Sequence, residues 1–520
     1  MKIAFINGNI ITNNKQFADG FIVEDNIFTY VGNDKNILES VDKKIDLKGY
    51  TIMPGFNDSH MHFLGIGYTN TITDLTPTKS IDEIINLLSN MNKDIIIGRG
   101  WNQENINNKY IPTKTDLDKI STQIPIIIIR VCGHVAVANS KAIELVGITK
   151  LTPQIEGGTF EFETGLFTED ALSLIYNLIP KHTKEDIKEM FLSTEKDLLK
   201  LGITSVQSDD FSTLNIEYEI IVDVLKELYE SNQLKIRLCE QVNLPQKELL
   251  IDYIEKGYQH YKHNKLDFGV LKLLADGSLG GRTAFLREAY SDDTDNCGVP
   301  IFTQEQLDEL IYIAHSNSID VGIHAIGDAT CEMIIKAIDK SQKLNERNHR
   351  HGIIHAQILD ETLIKKIKAR NIGVYVQPIF LNSDNNIVYS RLGERANHSY
   401  LFKTMYQEGI VTAFGSDSPV EDYNPFKNIY CAVTRKSIDG PNFDTYLEEQ
   451  AFTIEEAIEC YTTHSAFFMN KDNLGKFEEG YLADFIVLDK DIFSIKPKEI
   501  LNAKVLMTVV DGEILYQEKF

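Results

Sequence analysis

The 520-residue chain has few basic residues, no paired cysteines and no long apolar runs, and each shortage closes off a class of function. Fifty-two lysines and arginines stand against 76 acidic residues, a net charge of −24. A nucleic-acid partner requires a basic face to neutralise phosphates, so that class is set aside. The six cysteines (Cys132, Cys239, Cys297, Cys331, Cys431, Cys460) lie far apart and form no C-x-x-C pair, and read as reduced thiols of a cytoplasmic protein. The longest apolar run, Ile126 to Ile129, is too short to span a bilayer. The first residues hold one lysine and no apolar signal-peptide core. No tandem repeat or low-complexity tract stands out. The composition reads as a soluble, cytoplasmic protein with neither a membrane nor a nucleic acid as its partner.

Both ends look all-β. Ala4–Ile6, Asn9–Thr12, Phe21–Val23 and Phe28–Gly32 are short β-prone runs parted by Asn, Gly and Asp. Asp484–Leu488, Val505–Val510 and Ile514–Tyr516 repeat that texture, the last two joined by the turn Asp511-Gly512. Neither set is a stable sheet alone, so residues 1–53 and 468–520 are expected to meet in one small β-sandwich domain. The middle, 54–467, alternates strands with amphipathic helices. Its candidate strands are Phe56–His62, Thr204–Gln207, Ile236–Gln241, Val270–Ala275, Val321–His324, Ile353–His355, Val374–Gln377 and Val411–Gly415. Eight such units, with helices such as Lys184–Leu201, Asn215–Tyr229, Gln304–Ser316, Ala329–Lys340 and Glu361–Arg370, make an α/β (β/α)8 TIM barrel with its site at the C-terminal strand ends. Ile95–Ile97 and Pro125–Val131 are left over, and place an insertion at about 65–180, expected to fold over the barrel mouth.

The candidate chemistry lies at those strand ends. His60 and His62, two apart on a strand, point to one side with Asp58 behind them. Two such imidazoles suit one divalent metal. His324 and His355 each end an apolar strand, and their separation of 31 residues (355 − 324) is one strand-plus-helix unit, which puts them on adjacent strands. Asp417, just past the eighth strand, is either a ligand that also moves a proton or an Asx-turn before Pro419. Lys272 interrupts the apolar run Val270–Ala275. Buried there, it either pairs with a carboxylate such as Asp276 or has a depressed pKa and reacts as a nucleophile, with carbon dioxide among its partners. Trp101 and His134, in the insertion, are candidate substrate contacts or plain structural residues. Arg282 could clamp a substrate carboxylate, although a loop-bracing role is the plainer one.

These motifs in this order, Pro-Gly-Phe-x-Asp-Ser-His-x-His, Lys-x-x-x-Asp-Gly-Ser-Leu, His-x-Ile-Gly-Asp, His-x-Gln and Gly-Ser-Asp-x-Pro-Val, resemble the amidohydrolase superfamily. The closest resemblance is to its amidohydrolase-3 group, which includes N-substituted formamide deformylases. It covers nearly the whole chain, down to Gly475–Phe485, which looks like that family's return into its small β domain. The resemblance implies a metal-dependent hydrolase, usually with one or two zinc ions. Residue by residue, His60, His62 and Asp417 would hold the more buried ion and His324 and His355 the second. Lys272 matches the lysine that becomes N6-carboxylysine and bridges. Asp417 would take the proton from the nucleophile and pass it to the leaving nitrogen of an amide-like bond, while His134 donates to the oxyanion. Barrels of this kind often pair as homodimers. Asn102 after Trp101, and Asp209-Asp210 after the second strand, depart from the pattern and bear on substrate contacts. A deaminase or an ester or lactone hydrolase on the same metals is the alternative, and a non-catalytic ligand-binding barrel a more distant one.

Overall fold

Eight parallel strands carry the chain around a barrel: β1 (Phe56–Met61), β2 (Ile203–Ser208), β3 (Arg237–Asn243), β4 (Leu266–Leu274), β5 (Asp320–Ala325), β6 (Gly352–His355), β7 (Gly373–Val376) and β8 (Thr412–Phe414). They are the eight strands expected from the sequence, in the expected order. The computed structural model describes residues 1–11, 17–91, 93–103, 105–131, 135–155, 158–169, 171–179, 181–214, 216–385, 387–438 and 445–519. Each strand pairs with the next, and helices cover the outside. Strands buried on both faces read as continuous apolar runs, which is why β5 and β6 show no alternation. Between β8 and β1 the ring is closed by backbone bonds just beyond the strands. Asp417 N donates to His60 O (2.8 Å) and His62 N to Ser418 O (2.8 Å). Gly415 permits this approach: a Cβ on it would lie 2.7 Å from His60 N and 2.9 Å from His60 O.

The helices follow from local sequence. Gln304–Ser316 begins at the N-cap Thr303, whose hydroxyl and the Gln306 side chain form a reciprocal capping box, and buries Leu307, Leu310, Ile311 and Ala314 at helical spacing. Its bounds are those expected. The helix expected at 215–229 spans Tyr218–Glu230, because Glu217 is still extended; residue 215 lies outside the described residues.

The chain ends share one eight-stranded sheet. In order across it lie Glu513–Gln517, Val505–Val510, Phe485–Leu488, Thr51–Pro54, Lys2–Ile11, Phe17–Glu24 and Ile27–Gly32, with Lys43–Asp46 also pairing Lys2–Ile11. The sheet curls back on itself, as Ala483 N bonds Asn26 O and Phe28 N bonds Tyr481 O. It encloses Phe5, Phe21, Phe28, Phe477 and Phe485, with Phe5 stacked on Phe21 at 4.9 Å. Asp511 and Gly512 both take positive φ (56° and 75°), as a tight hairpin turn demands. Arg237, at the start of β3, is 1% exposed and reaches this sheet through a bidentate pair with Asp484 (2.7 and 2.9 Å) and a bond to Asp511 (2.6 Å).

The terminal sheet and the barrel form one compact unit, Met1–Gly65 with Phe191–Phe520; Ile66–Met190 form a second. The second unit has its own six-stranded sheet, which contains both leftover strands as the parallel pair Ile96–Trp101 and Ile126–Arg130. Both faces of that sheet are covered. Ile126 and Ile128 enter one core with Trp101 and Leu75, and Ile127 and Ile129 enter another with Phe160 and Phe167. The unbroken Ile126–Ile129 run is therefore a strand buried on two sides. Among the described residues no helix is long and apolar enough to cross a membrane.

Candidate metal centre

The C-terminal strand ends bring five of the predicted residues together. His60 comes from β1 and His62 from the residue just past it, Lys272 from β4, His355 from β6 and Asp417 from the turn after β8. His324 on β5 stands beside them, its ring centroid 4.5 Å from that of His355. The ladder sets their height: Leu274 pairs with His324, and Ala325 with His355. His355 (φ 75°) and Asp417 (φ 57°) both lie in the left-handed region, which non-glycine residues adopt only where the surroundings impose it.

Each imidazole has one nitrogen tied back. Gln241 Nε2 donates to Ser59 O (3.1 Å), which turns its Oε1 toward His60 Nδ1 at 2.6 Å. His60 therefore carries its proton on Nδ1 and offers Nε2. His62 Nδ1 donates to the Asp209 carbonyl (2.8 Å) and likewise offers Nε2. His355 Nδ1 donates to Gln377 Oε1 (2.8 Å), and Phe380 stacks on its ring at 5.5 Å. His324 is the reverse case: Nε2 donates to Gly277 O (3.1 Å) beside Asp276 Oδ1 (3.2 Å), leaving Nδ1 as the available nitrogen. Partners of this kind fix tautomer and ring orientation in metal sites.

The free atoms converge on Asp417. Its Oδ1 lies 3.3 Å from His60 Nε2 and 3.2 Å from His62 Nε2, and its Oδ2 4.0 Å from His355 Nε2. The donor atoms of His60, His355 and Asp417 all lie within 4.8 Å of one another. Donors about 2.0–2.1 Å from a tetrahedral zinc ion stand roughly 3.3 Å apart, so nitrogen and carboxylate donors at these separations fit a divalent cation. Lys272 Nζ is 3.0 Å from His60 Nε2, and the residue is 2% exposed. Asp276 does not pair with it. That carboxylate accepts instead from the backbone of Ile326, Gly327 and Phe285 and from the Thr330 hydroxyl, which spends it on holding β5 and His324.

Burial and charge divide the protons. Burial, aided by the charge of Lys272, pushes His60 down to about 4. Burial also opposes a charge on His62, but the hydrogen bond to Asp417 and the charge of Asp209 outweigh it and raise the ring to about 9. Asp417 is buried too, yet its bonds to the two imidazoles hold it well below the usual carboxylate range. Burial lowers the Lys272 amine and drives His355 well below the ordinary imidazole value. Asp58, fully buried behind the pair, is raised by desolvation to about 7. It accepts from Ser416 N (3.1 Å to each oxygen) and His60 N (3.2 Å), fastening β1 to the Asp417 turn.

The other expected contacts have hydrogen-bond partners of their own or lie outside the described residues. Trp101 is 1% exposed in the core of its own unit, with Nε1 donating to Ile128 O (3.2 Å). Arg282 makes a bidentate pair with Asp292 (3.0 and 3.0 Å), a loop brace. His134 lies outside the described residues. Gln241, Gln377 and Phe380 were not singled out from the sequence. Gln377 directly follows the apolar strand β7, the signal that marks His324 and His355, whereas Gln241 lies inside β3 among Glu240 and Asn243 and carries no such signal.

The profile described as "Amidohydrolase family" matches residues 43–516. YtcJ of Bacillus subtilis (strain 168) is 34% identical over 517 residues, covering 96% of each chain. The N-substituted formamide deformylase of Arthrobacter pascens is 23% identical over 91% of this chain and 90% of its own. A crystal structure of an uncharacterized metal-dependent hydrolase from Pyrococcus horikoshii OT3 superposes with a TM-score of 0.83 at 31% identity, covering 96% of this chain and 99% of that one.

Proposed function

The chain belongs to the amidohydrolase family and is a hydrolase; from that premise we propose that it cleaves a non-peptide carbon–nitrogen bond, amide-like, in a small molecule. The observation that supports this reading is the convergence of one carboxylate and the inward nitrogens of His60, His62 and His355. In the proposal His60, His62 and Asp417 hold a divalent ion, zinc by its donor set, with His355, His324 and a carboxylated Lys272 available to a second. When bound, such an ion supplies a nucleophile at neutral pH and polarises a carbonyl. The chain's own residues do the rest. Asp417, unprotonated and between two imidazoles, accepts the nucleophile's proton and returns it to the leaving nitrogen. Gln241, Gln377 and the Asp209 carbonyl keep the rings from turning. A cytoplasmic, homodimeric protein is the setting we propose, with sedimentation as the test of the dimer.

Metal content per chain, measured after purification without chelator and with bicarbonate present, tests the reading together with turnover of N-acyl and N-formyl amines. Two equivalents with hydrolysis support it. Lys272→Ala is expected to lower the content to about one equivalent, with short carboxylic acids restoring part of the lost activity. No metal uptake and no metal-restored turnover would overturn the proposal.

A further inference from the structure

The loop after β7 carries a carboxylate that the metal centre does not use. Asp384 closes the helical turn Leu381–Asp384, in the same loop as Gln377 and Phe380, which hold His355. Its Oδ2 is clamped from two sides. Gln357 Nε2 donates to it across 3.0 Å, and the Tyr400 hydroxyl donates to it as well. Gln357 Nε2 also donates to the Tyr400 oxygen, so the three side chains close a ring of hydrogen bonds. The clamp is itself fixed. Gln357 and Tyr400 are each 1% exposed, Gln357 stands two residues beyond His355, and Tyr400 N donates to Gln357 O (2.7 Å).

The other oxygen of Asp384, Oδ1, has no hydrogen-bond partner among the described residues, and the residue is only partly buried. Arg391, the cation whose charge is felt there, directs Nη1 to Asp292 and Nη2 to the Gly280 carbonyl, and its buried Nε has no hydrogen-bond partner among the described residues, Asp384 included. A carboxylate with one oxygen immobilised and the other open is oriented before any ligand arrives, so binding loses little side-chain freedom. The donor that such an oxygen selects is a charged one, because charge-assisted bonds to a partly desolvated carboxylate are about twice as strong as neutral ones.

We propose that Asp384 Oδ1 receives a protonated amine, so that the substrate carries an ammonium group apart from the bond that is cleaved. The cleaved bond rests on the hydrolase reading; the ammonium site does not. Isothermal titration of the full-length, zinc-reconstituted protein with cyclohexylamine and with cyclohexanol at pH 7.5 tests it. Wild type is expected to bind the ammonium at least tenfold more tightly than the alcohol. Asp384→Asn abolishes that preference and leaves the alcohol unchanged, with zinc content and melting temperature retained. Tyr400→Phe keeps the carboxylate but frees one side of its clamp, and lowers ammonium affinity severalfold; it decides the matter if Asp384→Asn does not fold. Equal binding of the two probes by wild type, or an equal loss of both in either variant, overturns the proposal. Turnover measured alongside separates the two readings. Ammonium preference without hydrolysis of N-acyl and N-formyl amines removes the carbon–nitrogen reading and keeps this site, and their hydrolysis without ammonium preference does the opposite.

Discussion

Asp417 Oδ1 stands almost equally far from two imidazoles, yet those rings answer it differently, because His60 shares its burial with Lys272 and His62 lies in the field of Asp209. Small differences in surroundings thus decide which side chain carries the proton. The amides behind the rings matter as much as the rings themselves. Gln241→Leu and Gln377→Leu are each expected to weaken metal binding about 10–100-fold while the protein remains folded; competition against a chelator with a metal-sensitive dye reads this directly, and unchanged affinity would show that the tied nitrogens are incidental. That the histidines and Asp417 would gather at the strand ends was legible in the sequence, because a histidine or aspartate at the end of an apolar strand is exceptional. Gln377 shares that position and Gln241 lies within a strand that is itself polar, and neither has a metal-ligand chemistry, so pattern alone does not separate them from other polar strand residues. Arg282 and Trp101 show the converse. Their types suggest substrate contact, but Asp292, ten residues from Arg282, and the Ile128 carbonyl claim them, and neither partner can be read from spacing.

A barrel strand here is defined by what lies beyond it as much as by its own residues. β8 has only three residues, and its closure onto β1 is made by the Asp417 and His62 amides past its end. Gly415→Ala places a Cβ against His60 N and O, so it is expected to lower stability by about 1–3 kcal/mol and to weaken metal binding with it. Urea unfolding and a zinc titration report the two effects together, and a stable variant with intact zinc affinity would contradict the role given to this seam. β3 carries a second feature. Glu240 and Asp210 are buried carboxyls, and Glu240 Oε1 accepts from Asp210 N (3.0 Å). Burial raises Asp210 from 3.8 to about 7, and burial together with the nearby Asp210 holds Glu240 well above 4.5. The folded state then binds more protons than the unfolded one, so this pair's contribution to stability is full at acid pH and is lost as pH rises through about 7. Glu240→Gln keeps the acceptor and removes the charge; its melting temperature relative to wild type is expected to be higher at pH 8 than at pH 5. An equal difference at both values would refute the shared burial cost. The strands were readable because their periodicity is local, whereas the seam between β8 and β1 joins Asp417 to His60, 357 residues apart (417 − 60), and no local pattern announces it.

At the scale of the molecule, Arg237 joins the barrel to the terminal sheet. Removing one partner from a buried ion pair costs about 3–5 kcal/mol, because the charge left behind remains unpaired. Arg237→Ala is therefore expected to melt earlier and, where the sheet detaches first, in two steps; one unshifted transition in calorimetry would show that the two parts hold together without it. The shared sheet was legible from matching β-rich ends, but its order was not: Thr51–Pro54 lies beside Phe485–Leu488, and such pairing follows from tertiary packing. That arrangement governs when the protein can finish folding. During synthesis the first strands leave the ribosome more than 400 residues before Phe485, and at roughly 5–20 residues per second they wait tens of seconds for their neighbours. Over that interval Thr51–Pro54 presents an open edge and His60 and His62 have no Asp417 to face, so a chain cut short before Phe485 by a premature stop codon is expected to aggregate in place of forming a smaller enzyme.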